Sequence, residues 1–142
     1  MRYFSNKEKK KLMDELPLGY QVLKKDEIKE DALVVFKDCE KFLIIDGNRF
    51  LPHLKSIDEK HYKSVYIDKG AIAFIVNGAD LMRPGITKIE DGISKGDVVI
   101  VRDQEHLKKL ALGFALFSSD EMVVQKIGKS VKIYHYAGDS FY

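Results

Sequence analysis

The residues richest in possible chemistry lie in the string Asp68-Lys69-Gly70-Ala71-Ile72-Ala73-Phe74-Ile75-Val76-Asn77-Gly78-Ala79-Asp80-Leu81-Met82-Arg83-Pro84-Gly85-Ile86. It predicts a helix over 69–77 capped by Asp68, a glycine stop at Gly78, a short strand at Leu81-Met82 and a Pro-Gly turn. A helix–glycine–strand junction of this kind is expected to leave main-chain N–H groups uncovered, with Arg83 beside them. That combination suits a phosphate backbone. Glycine lets a backbone approach without a Cβ in the way, and a guanidinium forks onto phosphate oxygens. The plainer readings are a helix stop at Gly78 and an ordinary turn at Pro84-Gly85.

Charge adds a second strip. Residues 64–142 carry ten Lys/Arg against ten Asp/Glu, yet Lys126, Lys129, Lys132 and His135 sit in a tract without an acid until Asp139. Near the other end Lys7, Lys9, Lys10 and Lys11 crowd one helix start. Basic strips on a neutral body bind polyanions selectively, and they are equally what a solvated lysine-rich face looks like. Of Tyr66, Tyr134, Tyr136 and Phe141, most are expected in a core. Strict alternation puts Val131, Ile133 and His135 on one face and Lys132, Tyr134 and Tyr136 on the other, so Tyr136 is expected outside.

Catalytic readings are weak. Cys39 falls in a hairpin turn with no base at a recognisable spacing. His53, His61, His106 and His135 lack metal-ligand spacing, and no glycine-rich nucleotide loop occurs. Neither a metal, a cofactor nor an enzyme activity is expected. With 142 residues, 45% apolar and 32% charged, and a net charge of +2, the composition is that of a soluble globular protein. No apolar run approaches the ~20 residues of a spanning helix. A lone cysteine and the absence of an apolar leader in Met1–Lys7 point to the cytoplasm.

The elements that must position these residues can be sketched. Ser5-Asn6-Lys7-Glu8 is a capping box opening a helix that buries Leu12, Met13 and Leu16 and ends at Pro17-Leu18-Gly19. Ala32–Phe36 and Phe42–Ile45 read as strands, and Asp46-Gly47 signals a type I′ hairpin into Asn48–Leu51. The polar stretch Lys55–His61 is the expected boundary between an α+β unit at 1–60 and a second unit at 61–142. There, Val65–Ile67, Leu81-Met82, the continuous apolar run Val98–Val101, Leu110–Leu116 with a kink or bulge at Gly113, and Val131–Tyr136 are expected strands. Ser118-Ser119-Asp120-Glu121 is a second capping box, its helix closed by Gly128. This order suggests a small mixed barrel with two short helices.

Five pieces, in order and spacing, resemble the PUA domain, the RNA-binding module of pseudouridine synthases and archaeosine transglycosylases. They are Ile67-Asp68-Lys69-Gly70-Ala71, Asn77-Gly78-Ala79-Asp80-Leu81-Met82, Arg83-Pro84-Gly85-Ile86, Lys95-Gly96-Asp97-Val98-Val99 and Ile133-Tyr134-His135-Tyr136-Ala137-Gly138-Asp139. The whole chain is similar to archaeal relatives of the translation-associated family multiplied in T-cell malignancy. The resemblance implies an α+β protein with a pre-PUA unit and a PUA-type pseudo-barrel. It implies RNA lying across Lys69, Gly70, Asn77, Gly78, Ala79, Arg83, Pro84 and Gly85, with Lys129, Lys132 and His135 opposite. The expected function is non-catalytic recognition of a structured RNA such as tRNA or rRNA. The small ribosomal subunit and translation factors are the expected partners, and a membrane is not. Two alternatives stay open: the substrate-recognition subunit of a tRNA-modifying transglycosylase or pseudouridine synthase, and a protein-interaction module using the first sheet.

Overall fold

In the computed structural model, which describes residues 1–142, the chain divides into two units, Met1–His61 with Phe141 and Tyr62–Ser140 with Tyr142. No helix is long and apolar enough to cross a membrane.

The first unit holds β1 (Arg2–Tyr3), α1 (Asn6–Asp14), β2 (Ile28–Asp31), β3 (Val34–Lys37), β4 (Glu40–Asp46) and β5 (Arg49–Pro52). The strands form an antiparallel meander in sequence order. α1 starts where the capping box predicts: the Ser5 hydroxyl accepts from the Glu8 amide, and the Glu8 carboxylate accepts from the Ser5 amide. Its apolar stripe, Leu12 with Met13 and Leu16, packs on Val22, Ile28, Val35 and Leu43. Two local expectations are corrected. Ala32 and Leu33 do not open a strand; both have positive φ (49° and 68°) and make the turn from β2 to β3, as Asp38 and Cys39 do from β3 to β4. At the β4–β5 hairpin only Gly47 is left-handed (φ 58°). The loop is therefore Gly47-Asn48 with its left-handed residue first, the II′ pattern and not the expected I′.

The second unit holds β6 (Ser64–Ile67), α2 (Lys69–Ile75), β7 (Leu81–Met82), a 3₁₀ turn at Arg83–Gly85, β8 (Ile86–Ile89), β9 (Val98–Asp103), β10 (Lys109–Ala115), α3 (Ser119–Val124) and β11 (Lys129–Tyr136). The strand order is β7-β11-β10-β9-β6-β8, with β6 and β9 parallel and the other pairs antiparallel. The two edge strands, β7 and β8, are joined by the Arg83–Gly85 turn alone. Three residues span at most ~11 Å, so the sheet must curl until its edges meet. The barrel interior is filled by Val65, Ile67, Ile75, Leu81, Ile86, Val99, Val101, Ala111, Met122 and Val131. Ile100 and Leu112, between inward neighbours, are also fully buried, as a continuous apolar strand requires.

The bulge expected at Gly113 is present, and it has a cause. Leu112 pairs with His135 while Gly113 pairs with Ile133, so Tyr134 is an extra residue on β11. A Cβ on Gly113 would lie 2.5 Å from Val131 Cγ1 and 2.6 Å from the Lys132 carbonyl oxygen. Since the second clash is with backbone, Gly113→Ala is expected to destabilise the protein by about 1–3 kcal/mol. Denaturant unfolding checks this; an unchanged midpoint would mean that the two strands can part at the bulge without cost.

Candidate nucleic-acid interface

α2 is a two-turn helix held at its start by Asp68, whose carboxylate accepts from the Ala71 amide at 2.9 Å. Ala71, Ile72 and Ile75 face the barrel core, which leaves Lys69, Gly70, Ala73 and Phe74 exposed. The helix then closes on itself. The amides of Asn77 and Ala79 donate to the Phe74 carbonyl at 3.2 and 3.0 Å, and the Gly78 amide donates to Ile75 at 3.0 Å. Gly78 is left-handed (φ 90°), as the helix stop requires. The expectation of uncovered N–H groups at this junction is therefore corrected: the closing turn uses the Asn77, Gly78 and Ala79 amides on its own carbonyls. The Asn77 side chain likewise donates to Ala73 O at 2.8 Å.

Arg83 is held within the turn. Its Nε donates to the Met122 carbonyl at 2.6 Å and its Nη1 to the Ile86 carbonyl at 3.1 Å, while its amide donates to Gly128 O at 2.8 Å. Through Nε and Nη1 the guanidinium serves carbonyls of α3 and of the turn itself. α3 offers that carbonyl because it is built as the sequence predicts, with Ser118 and Glu121 forming a capping box. Hydrogen bonding from the Ser118 amide holds the Glu121 carboxyl below the ordinary carboxylate range.

His135 is also corrected. The extra residue at Tyr134 reverses the facing of everything after it. Tyr136 turns inward onto the barrel core and lies close to Gly78, where a Cβ would sit 3.1 Å from its ring. His135 turns the other way yet is fully buried, its Nδ1 2.9 Å from Asp139 Oδ2. Asp139 also accepts from the Tyr136 and Tyr142 amides, both at 2.9 Å. The tail motif is a staple for the end of β11 and offers no imidazole to a ligand.

Of the remaining predicted residues four share a groove, and Lys69, Asn77 and Gly78 are not in its lining. Gly70, Ala79, Pro84 and Gly85 line one groove of about 420 Å³ together with Phe74, Met82 and two carboxylates, Asp68 and Asp80. Gly85 fits there because a Cβ would stand 3.0 Å from that of Ala71. Neither carboxylate is idle: Asp68 caps α2, and Asp80 accepts from the Ile133 amide at 3.0 Å and pairs with Lys129 Nζ at 3.2 Å. Lys129 and Lys132 are exposed on β11, and Lys126 is exposed just before it. A neighbouring cleft is lined by Asp68, Lys69, Asp103, Gln104 and Glu105, three carboxylates against one ammonium. A polyanion is repelled there, so the favourable flank is the side of β7 and β11.

Phe74, at 68% exposure, and Met82, at 46%, are the groove residues that sequence reasoning did not single out. A signal existed for Phe74. It falls about a sixth of a turn outside the edge of the Ala71–Ile72–Ile75 stripe, at ~100° per residue. Met82 carried none, because its side depends on pairing with Lys129 in β11.

The model of the family described as PUA domain matches residues 63–137. An uncharacterized protein of Methanocaldococcus jannaschii is 34% identical over 99% of this chain and 94% of its own length. Translation machinery-associated protein 20 of Saccharomyces cerevisiae is 28% identical over 78% of this chain and 66% of its own length. The crystal structure of a hypothetical protein from Pyrococcus horikoshii superposes with a TM-score of 0.78 at 29% identity, covering 98% of this chain and 95% of that one.

Because its charged hydrogen bonds hold the turn to α3, Arg83→Ala is expected to lower stability by about 1.5–3 kcal/mol. Urea unfolding measures this; full stability would return Arg83 to the list of surface residues.

Proposed function

Because the chain belongs to the PUA-domain family, we propose that it is a non-catalytic, cytoplasmic RNA-binding protein that recognises a structured RNA such as tRNA in translation. The observation that carries this reading is an open groove with an apolar floor and a basic flank. Phe74, Met82 and Pro84 offer flat and polarisable surface, while Lys126 and Lys132 supply exposed positive charge along one side, with Lys129 between them paired to Asp80. Single-stranded or splayed RNA asks for that pair of properties: aromatic faces for bases and flexible cations for phosphates. Lysine acts as an undirected point charge, so affinity comes mainly from phosphate neutralisation. The similarity to a translation machinery-associated protein supports a role beside the ribosome. The proposed contact surface is Lys69, Gly70, Phe74, Asn77, Gly78, Ala79, Met82, Pro84, Gly85, Lys129 and Lys132.

Labelled tRNA titrated over a salt series tests the proposal. Wild type is expected to bind with log affinity falling linearly in log salt. Replacing Lys129 and Lys132 together by Gln should flatten that slope by about one to two units, at ~0.7–0.9 per lost phosphate contact. Phe74→Ser should cost about 1–3 kcal/mol of binding, as loss of one stacked base does, with thermal unfolding unchanged. No measurable RNA affinity at low salt would remove the reading.

A further inference from the structure

Val123 and Val124 close α3, and Ile127 follows in the loop to β11; these aliphatic side chains are 62%, 75% and 81% exposed. Branched aliphatics have no flat face on which a base could stack. Single apolar residues are ordinary on a surface, but three within five positions form a patch. The patch is also held in shape. The Gln125 side-chain amide donates to the Ile127 and Lys129 carbonyls at 2.9 and 3.0 Å, and its oxygen accepts from the Ser130 hydroxyl at 2.7 Å. Gly128 accepts from the Arg83 amide. The loop backbone is thus fixed, and Ile127 stands out from it into water.

This tip lies beside the groove. Arg83, bonded to Gly128, is followed directly by Pro84 and Gly85 of the groove lining, and Met82 of the same lining pairs with Lys129. Ile127 is nonetheless exposed, so the tip does not fill the groove of its own chain. Tip and groove match in chemistry. The groove presents Phe74, Leu81, Met82 and Pro84, and its charges are Asp68 and Asp80. Asp80 is paired with Lys129, whereas Asp68 caps α2 and has no cationic partner. At the tip, Lys126 has no carboxylate partner. Each chain therefore carries an apolar projection with an unpaired ammonium next to an apolar groove with an unpaired carboxylate.

We propose that a second copy of this chain fills the groove: the aliphatic tip of each copy lies against Phe74 and Met82 of the other, with Lys126 facing Asp68. Because tip and groove are neighbours on one chain, a two-fold axis between them exchanges both at once and closes the assembly as a pair. A lipid surface would accept the tip and its lysine but leave the groove and Asp68 unmatched, so a second copy is the better occupant. The interface is small, which makes the pair weak and reversible. A paired copy has no open groove, so another ligand there must displace the partner. Pairing itself needs no RNA, and it goes beyond the reading given under Proposed function.

Sedimentation equilibrium of the full chain without RNA, from about 1 µM to about 1 mM, tests this. The mass of wild type is expected to rise toward twice that of one chain and to stop there. Ile127→Asp is expected to weaken association about tenfold or more, with thermal unfolding unchanged because the side chain is exposed. NMR reads the contact directly. A C39S/D120C chain bearing a nitroxide at position 120, at the start of α3, is mixed with isotopically labelled wild type. Relaxation broadening of the Phe74, Ala79 and Met82 amides is expected, and adding I127D to the spin-labelled chain should reduce it.

Wild type that stays monomeric throughout would overturn the inference. So would a mass that climbs past two chains, an I127D variant that associates as wild type does, or broadening centred away from the groove. Retention of monomeric wild type on phosphatidylserine–phosphatidylcholine vesicles, lost in I127D, would make the tip a lipid contact and overturn it too. None of these results bears on the tRNA titration, so the RNA reading stands or falls separately.

Discussion

A six-stranded sheet whose edges are consecutive in sequence has no choice but to close. β7 and β8 lie at opposite ends of the ladder, and only Arg83, Pro84 and Gly85 connect them. Pro84 fixes the backbone of the turn, and Asp68 N–H donates to the Gly85 carbonyl at 3.1 Å, which ties the turn to the start of α2. Arg83 then fastens the closure from the other side, through the carbonyls of Met122, Ile86 and, by its amide, Gly128. A conspicuous arginine in a candidate binding loop is thus explained by the covalent geometry of the barrel.

The groove is a by-product of that closure. Bringing the turn against α2 sets Pro84 and Gly85 opposite Gly70 and Ala71, and small residues at these points leave room between them. The exposed side of α2 supplies Phe74, and the short edge strand supplies Met82. Charge is divided across the site: lysines stand toward β11, while Asp103 and Glu105 line the neighbouring cleft with Asp68 and Lys69. Such asymmetry would favour approach of a polyanion from one flank, because like charge repels it on the other.

Features of the fold decided within a few residues were legible in the chain. The Ser5 and Ser118 capping boxes, the Asp68 cap and the left-handed stop at Gly78 all depend on neighbours in sequence, and the five-piece resemblance to PUA domains rested on such local signatures. What stayed hidden was decided by distant partners. Arg83 finds an acceptor 39 residues away in Met122, and Tyr134 becomes a bulge only because Gly113 on another strand cannot carry a side chain. That one extra residue moved Tyr136 inward and His135 away from the barrel interior, opposite to strict alternation. β2 and β8 escaped notice for a plainer reason: Ile28-Lys29-Glu30-Asp31 and Ile86-Thr87-Lys88-Ile89 have too little apolar character to announce strands. In the candidate site, the glycines and lysines were readable by type, whereas the exposure of Met82 was not, since it follows from pairing across to β11.

Amide chemical-shift mapping of the isotopically labelled full chain during titration with unlabelled tRNA tests the central claim most directly. The account predicts that the largest perturbations in the second unit fall on residues 69–85 and 126–132, with Asp103–Glu105 little changed. Perturbations centred on the acidic cleft or confined to other strands of the barrel, with Phe74, Met82 and Lys132 unmoved, would contradict it.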